Sequence, residues 1–150
     1  MPQSLSFQLI HLIFSTKDRL GYITADVESD LHTYLAETAR HHGCECYRVG
    51  GVEDHVHLAI RMSRTLSVAQ LVKELKIMSS QWIKTKRKDL ADFSWQRGYG
   101  CFSLSPKDLD TLVSYIENQK EHHKGKSFQD EYRMILNKYG VSYDEKYVWD

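Results

Sequence analysis

Two histidines and, well downstream, a tyrosine and a glutamine are the side chains in this sequence whose types and spacing suit chemistry. Polar and apolar residues alternate through Asp54-His55-Val56-His57-Leu58-Ala59-Ile60-Arg61-Met62, the pattern of a half-buried strand. His55, His57, Ala59 and Arg61 then share one face, and Val56, Leu58, Ile60 and Met62 the other. Same-face neighbours on a strand lie close enough for two imidazoles to hold one metal ion. Tyr115 and Gln119 are spaced i, i+4, so a helix projects both from one face.

Such a set is suited to phosphoryl transfer. A phosphodiester is attacked poorly by neutral oxygen nucleophiles, and a divalent cation stabilises the developing charge while fixing the phosphate in line. A phenol, with a reference pKa of about 10, becomes a competent nucleophile beside a cation, and the covalent intermediate keeps the phosphodiester energy for rejoining. Two imidazoles leave coordination positions open, and the side-chain carbonyl of Gln119 can supply a third ligand. Imidazole, carboxamide and phosphate oxygens suit Mg²⁺ or Mn²⁺, the nitrogens favouring Mn²⁺.

The elements that must position these groups follow from composition and pattern. A chain of 150 residues suits one domain, residues 1–150, with a core of its own. No apolar run approaches a membrane span, and the N-terminus has no basic leader with a cleavage site. Three cysteines without an export signal point to a reducing cytoplasm. Zero net charge weighs against strong non-specific nucleic-acid binding.

Ser6 to Ser15 reads as a buried strand; a single histidine inside it, His11, is expected to be packed and hydrogen-bonded rather than functional. Thr24 is an expected N-cap, and Val27, Leu31, Tyr34, Leu35 and Thr38 make a helical stripe ended by Gly43. Cys44 to Val49 is a short strand, and Gly50 to Asp54 the turn into the histidine strand. Leu66 to about Lys86 carries an apolar stripe of Val68, Leu71, Leu75, Met78 and Trp82 opposite Lys73, Lys76, Lys84 and Arg87. Phe93 to Ser105 reads as a strand with close-approach glycines at Gly98 and Gly100. Ser105-Pro106 starts a helix whose stripe is Leu109, Leu112, Val113 and Ile116, flanked by Tyr115, Gln119 and His122. Phe128 to Tyr139 is a last helix, ended by Gly140, and the aromatic tail is expected to dock.

The order strand, helix, strand, strand, helix, strand is that of the ferredoxin-like split βαβ arrangement in the α+β class: an antiparallel sheet with helices on one face and added C-terminal helices. With Val56, Leu58 and Ile60 under the helices, His55 and His57 fall on the open face, where the site would be accessible.

The residues then resemble a known family. His55-Val56-His57 looks like the His-hydrophobic-His signature of the single-tyrosine transposases of bacterial insertion sequences, and Tyr115-Ile116-Glu117-Asn118-Gln119 resembles their nucleophile helix. His11 to Lys17, Gly51 to Asp54, Trp95 to Gly100, His122-His123, Ser127-Phe128 and Glu131 fit the same pattern, so the resemblance spans the chain. It implies a small domain that recognises a hairpin in single-stranded DNA and cuts beside it, joining tyrosine to a 5′-phosphate and releasing a 3′-hydroxyl. Carried over, Tyr115 would be the nucleophile and His55, His57 and Gln119 the metal ligands. It also implies a homodimer, in which the tyrosine helix of one subunit can complete the histidine site of the other. Members either mobilise their own element or are domesticated relatives tied to extragenic palindromes. With a DNA substrate, part of the basic helix face and the Lys120 to Lys126 cluster is expected to meet phosphates.

Two other readings compete. Cys44, Cys46, His55 and His57 have the ligand types of a structural Cys₂His₂ zinc site, although a C-x-C pair lacks the usual knuckle spacing. A split βαβ sheet can also bind single strands without catalysis, by stacking. Asp54 and Glu53 are read as turn residues rather than partners of a metal-bound histidine, and His123 as surface.

Overall fold

A computed structural model describes residues Met1–Asp150. Four strands, β1 (Leu9–Ser15), β2 (Glu45–Val52), β3 (His55–Arg61) and β4 (Gly100–Leu104), form one antiparallel sheet in the order β2-β3-β1-β4. Helices α1 (Ala25–His41) and α2 (Val68–Lys84) complete the βαββαβ order, and α3 (Leu109–Glu117), α4 (Gln119–His122) and α5 (Phe128–Lys138) follow it. This is the expected ferredoxin-like α+β fold. β3 is central, so both its edges are bonded, and its register on β1 sets Ile13 opposite His57 and Ser15 opposite His55.

Period-2 alternation sorts the sheet into two faces. Ile10, Leu12, Phe14, Val56, Leu58 and Ile60 join Leu31, Leu35, Leu71 and Leu75 in the main cluster beneath α1 and α2. On the other face Ile13 and Phe102 meet Phe128, Tyr132, Ile135 and Leu136. That face is therefore covered by α3 to α5, and the expectation of an open sheet is wrong: His55 and His57 are fully buried. The α5 residues repeat at helical spacing and present an apolar stripe that cannot be left in water.

Several boundaries differ from the sequence reading. β2 runs through Gly50 and Gly51 to Val52, leaving Glu53-Asp54 alone as the turn. Gly50 is needed there because a Cβ would lie 2.5 Å from the carbonyl oxygen of Ile116, where α3 crosses the strand. On α2 the buried stripe is Leu71, Val72, Leu75, Ser79 and Ile83, one position round from the expected one, with Met78 exposed and Trp82 stacked on Tyr34. Ser79 can be buried because its hydroxyl donates to Leu75 O at 2.6 Å and accepts from Trp95 Nε1 at 2.9 Å. The tail is docked as expected: Tyr143, Val148 and Trp149 pack on the α5 cluster, and Gly98 N donates to Asp150 O at 2.8 Å.

Candidate functional site

His55 and His57 leave the centre of the sheet from β3, towards α3, α4 and α5. Opposite them the helix that begins after Ser105-Pro106 does not run on to His122. It stops at Asn118, whose φ of −97° and ψ of 20° are not helical, so Tyr115 lies on α3 and Gln119 starts α4. The single-helix expectation fails, yet the break still leaves both side chains at the site. The third contributor is α5, capped by Ser127, whose hydroxyl accepts from Asp130 N at 3.1 Å. It carries Glu131, which is 1% exposed, into the space between histidines and tyrosine.

Glu131 is the hub. Its Oε1 accepts from His57 Nε2 at 3.0 Å and from His123 Nε2 at 3.1 Å, and lies 3.3 Å from His55 Nε2. Its Oε2 accepts from Gln119 Nε2 at 2.9 Å and from the Tyr115 hydroxyl. Gln119 Oε1 is 3.0 Å from His55 Nε2. Behind this shell each histidine is oriented: His55 Nδ1 donates to Asp54 Oδ1 at 2.7 Å, and His57 Nδ1 pairs with His11 Nε2 at 2.7 Å. The His122 ring stacks on Tyr115, centroids 4.6 Å apart.

The charges follow from these contacts. Burial pushes His55 down, but hydrogen bonds and charge from Asp54 and Glu131 outweigh it and hold its pKa at about 9. Burial dominates at His57 and drives it to about 4, so its imidazole is neutral, and His11 is likewise held well below its ordinary value by burial and by His57. At Glu131 burial favours the neutral acid, but the hydrogen bonds of His123, His55 and His57 prevail and keep it ionised. Tyr115 is raised by burial and by the charge of Glu131, which holds the phenol protonated.

The four side chains expected to act together, His55, His57, Tyr115 and Gln119, are thus brought together around one carboxylate. His55 Nε2, His57 Nε2 and a Glu131 oxygen lie within 4.8 Å of one another. Two imidazoles, a carboxylate and the nearby amide oxygen of Gln119 form a donor set that fits a divalent cation of the Mn²⁺ or Mg²⁺ kind. Sequence reasoning assigned Glu131 no role. Asp54 is a partner of His55 as well as a turn residue, and His123 is not surface: its side chain is 8% exposed and bonded to Gln119 and Glu131. Its i+4 spacing from Gln119 was the available signal. His11 is packed and hydrogen-bonded as expected, and its partner is a site residue.

The zinc reading fails on register. Cys46 pairs with Ile60 near the far end of the hairpin from Val52 and His55, and Cys44 and Cys46 belong to the core beneath α1 and α2. The basic face of α2 is also reduced. Lys76 donates to the carbonyls of Gln96, Arg97 and Gly98, and Arg87 is tied to Asp26 and Asp89.

Comparison with known proteins bears on this geometry. The family model described as "Transposase IS200 like" matches residues 5–119. The chain belongs to that family. The match ends at Gln119, so this IS200-like transposase carries α5 and Glu131 outside the matched region. ISDra2 transposase TnpA of Deinococcus radiodurans is 26% identical over 116 residues, covering 74% of this chain and 83% of the relative. A solved Deinococcus radiodurans R1 structure, described as a candidate transposase, superposes with a TM-score of 0.62 at 24% identity, covering 79% of this chain and 98% of that one. Another, a REP-associated tyrosine transposase bound to a REP hairpin, gives 0.61 at 14% identity over 83% and 75%. Both share the fold. No helix is long and apolar enough to cross a membrane.

Proposed function

We propose that this transposase acts as one domain, residues 1–150, that nicks single-stranded DNA beside a hairpin and rejoins strands through a 5′-phosphotyrosine on Tyr115. The observation that carries this reading is the buried meeting of the Tyr115 hydroxyl, Gln119, His55 and His57 on one carboxylate. The hairpin is supported by the similarly folded REP-associated tyrosine transposase, which is bound to a REP hairpin. The protein is proposed to work in the cytoplasm as a homodimer, the state that the family resemblance implies.

His55, His57 and Gln119 would hold Mg²⁺ or Mn²⁺, with Glu131 as a further oxygen donor. The bound cation would supply Lewis-acid charge to the phosphate and offset the negative charge that keeps the phenol protonated. Tyr115 Oη attacks phosphorus; the new P–O bond forms as the bond to the 3′-oxygen breaks. Glu131 Oε2, which accepts the phenol's hydrogen bond, orients the hydroxyl; the phenolic proton is lost to water as the P–O bond forms, and the 3′-oxygen leaves with a proton from water. Asp54 and His11 fix the two imidazole planes.

The test is a panel of labelled single-stranded hairpins with Mg²⁺ or Mn²⁺, resolved on a denaturing gel. A covalent protein–DNA band that needs the metal and is lost in Tyr115→Phe is expected. A band that persists in the variant moves the nucleophile elsewhere. Hairpin binding without a band in either protein, across a panel that includes the element's own hairpin, would support a non-catalytic binding domain.

A further inference from the structure

A cavity of about 700 Å³ opens between the end of β4, α3 and α5, with Tyr115 and His11 in its wall. It shares Tyr115 with the carboxylate hub and Ile135 with the smaller apolar cluster. Its volume lies within the roughly 300–1,000 Å³ range of sites that engulf one small molecule, room for a nucleoside but not for a duplex. Leu112 and Ile135 give it an apolar side, and the ring of Tyr139 a flat one. That ring is held in place, tilted against Phe102 at 4.9 Å between centroids, with its hydroxyl donating to Ser103 O at 3.1 Å. The Lys138 ammonium lies 6.0 Å from the Tyr139 centroid, at the same wall. Thr111 and Ser105 contribute hydroxyls that can donate or accept.

Resting on the tyrosine reading above, we propose that this cavity receives the nucleobase adjoining the scissile phosphate. A phosphorus within reach of Tyr115 Oη has its flanking nucleoside within one nucleotide's length, and Tyr115 is shared by the hub and the cavity. An aromatic and aliphatic wall suits the π-face of a base, the hydroxyls suit its edge, and Lys138 suits the next phosphate. The cavity thereby makes the cut dependent on the base at one flank and not on the hairpin alone.

The experiment uses the full chain and the best hairpin oligonucleotide, with each nucleotide flanking the junction replaced in turn by an abasic residue. Binding is measured with Tyr115→Phe, so that it does not depend on cleavage, and covalent adduct is measured with the parent. Loss of one flanking base is expected to weaken binding about tenfold, the worth of a stacked base. Thr111→Trp, an exposed position on the cavity wall, is expected to weaken intact DNA by a similar factor and to abolish the abasic penalty, because indole and base compete for one space. Lys138→Met gives a second variant that fills nothing, with a smaller loss that shrinks as salt is raised. An equal penalty in both proteins, or none at either flank, overturns the cavity. A parent that forms no adduct while the binding pattern holds overturns the tyrosine chemistry and leaves the cavity standing.

Discussion

Beneath α1 and α2, twenty-two buried side chains form a single apolar cluster, and its buried Ser79 hydroxyl is satisfied by Leu75 and Trp95. Beneath α3 to α5 the apolar cluster has six members, and His11, His55, His57, Gln119 and Glu131 are buried on the same side of the sheet. Burying a polar group costs free energy unless it is paired, and a charge costs more. One face therefore stabilises the fold by removing apolar area from water. The other holds groups together that are tolerable only because each satisfies the next. The candidate site is on the face that stability alone would not have built.

The largest effect is expected where that mutual satisfaction is cut at its hub. Glu131→Ala removes the carboxylate on which His123 and the buried His55, His57 and Gln119 converge and leaves those groups without it, which should cost roughly 3–5 kcal/mol in denaturant unfolding. It should also remove metal-dependent adduct. Glu131→Gln keeps the shape and should recover much of the stability but not the adduct. Equal adduct from both variants and the parent would mean that the carboxylate is only scaffolding. On the other face Leu58→Ala, at a fully buried position, should cost about 2–5 kcal/mol. Adduct per folded molecule should be unchanged; a fall in it would mean that the two faces are not separable.

Gly50→Ala tests the seam between the faces. The added Cβ would meet backbone, Ile116 O, so α3 must move, and Tyr115 moves with it. A displacement of about 1 Å can cost on the order of 100-fold in rate. Adduct formation should drop by that order, with a smaller loss of stability than in Leu58→Ala. A variant that unfolds as readily as Leu58→Ala but reacts normally would refute this account of how α3 is seated.

The same contrast explains what could be read in advance. The apolar face was legible because alternation in β1 and β3 and the Leu31–Leu35 and Leu71–Leu75 spacings are local patterns that burial enforces. The α2 stripe came out one position off because Ser79 looks like a surface residue until its two hydrogen-bond partners are known. His55, His57, Tyr115 and Gln119 were legible as types at suggestive spacing. Glu131 was legible only as part of the family pattern, without a role, since its importance comes from α5 folding back over the sheet, and Phe128, Tyr132 and Ile135 announce a buried stripe without saying what it covers. His123 was misread because proximity to Glu131 is set by the turn after α4, not by either helix.

The smallest effect expected comes from the one cation drawn into the apolar side. Lys76 Nζ lies 5.3 Å from the Phe14 ring centroid and donates to three consecutive carbonyls, Gln96 and Gly98 at 2.7 Å and Arg97 at 3.2 Å, tying α2 to the loop before β4. Burial pushes its pKa from 10.5 down to about 8. Below pH 8 folded and unfolded chains both carry the proton, and this group adds no pH dependence. Between about 8 and 10.5 only the unfolded chain holds it, so each rise in pH favours the folded state through this group. The parent should therefore gain stability relative to Lys76→Met across that window, measured as the difference between their denaturant midpoints, which cancels the titration of the tyrosines common to both. A difference that falls with pH would mean that the three carbonyls hold the ammonium more strongly than the apolar surroundings oppose it, and that even this face contains a satisfied charge.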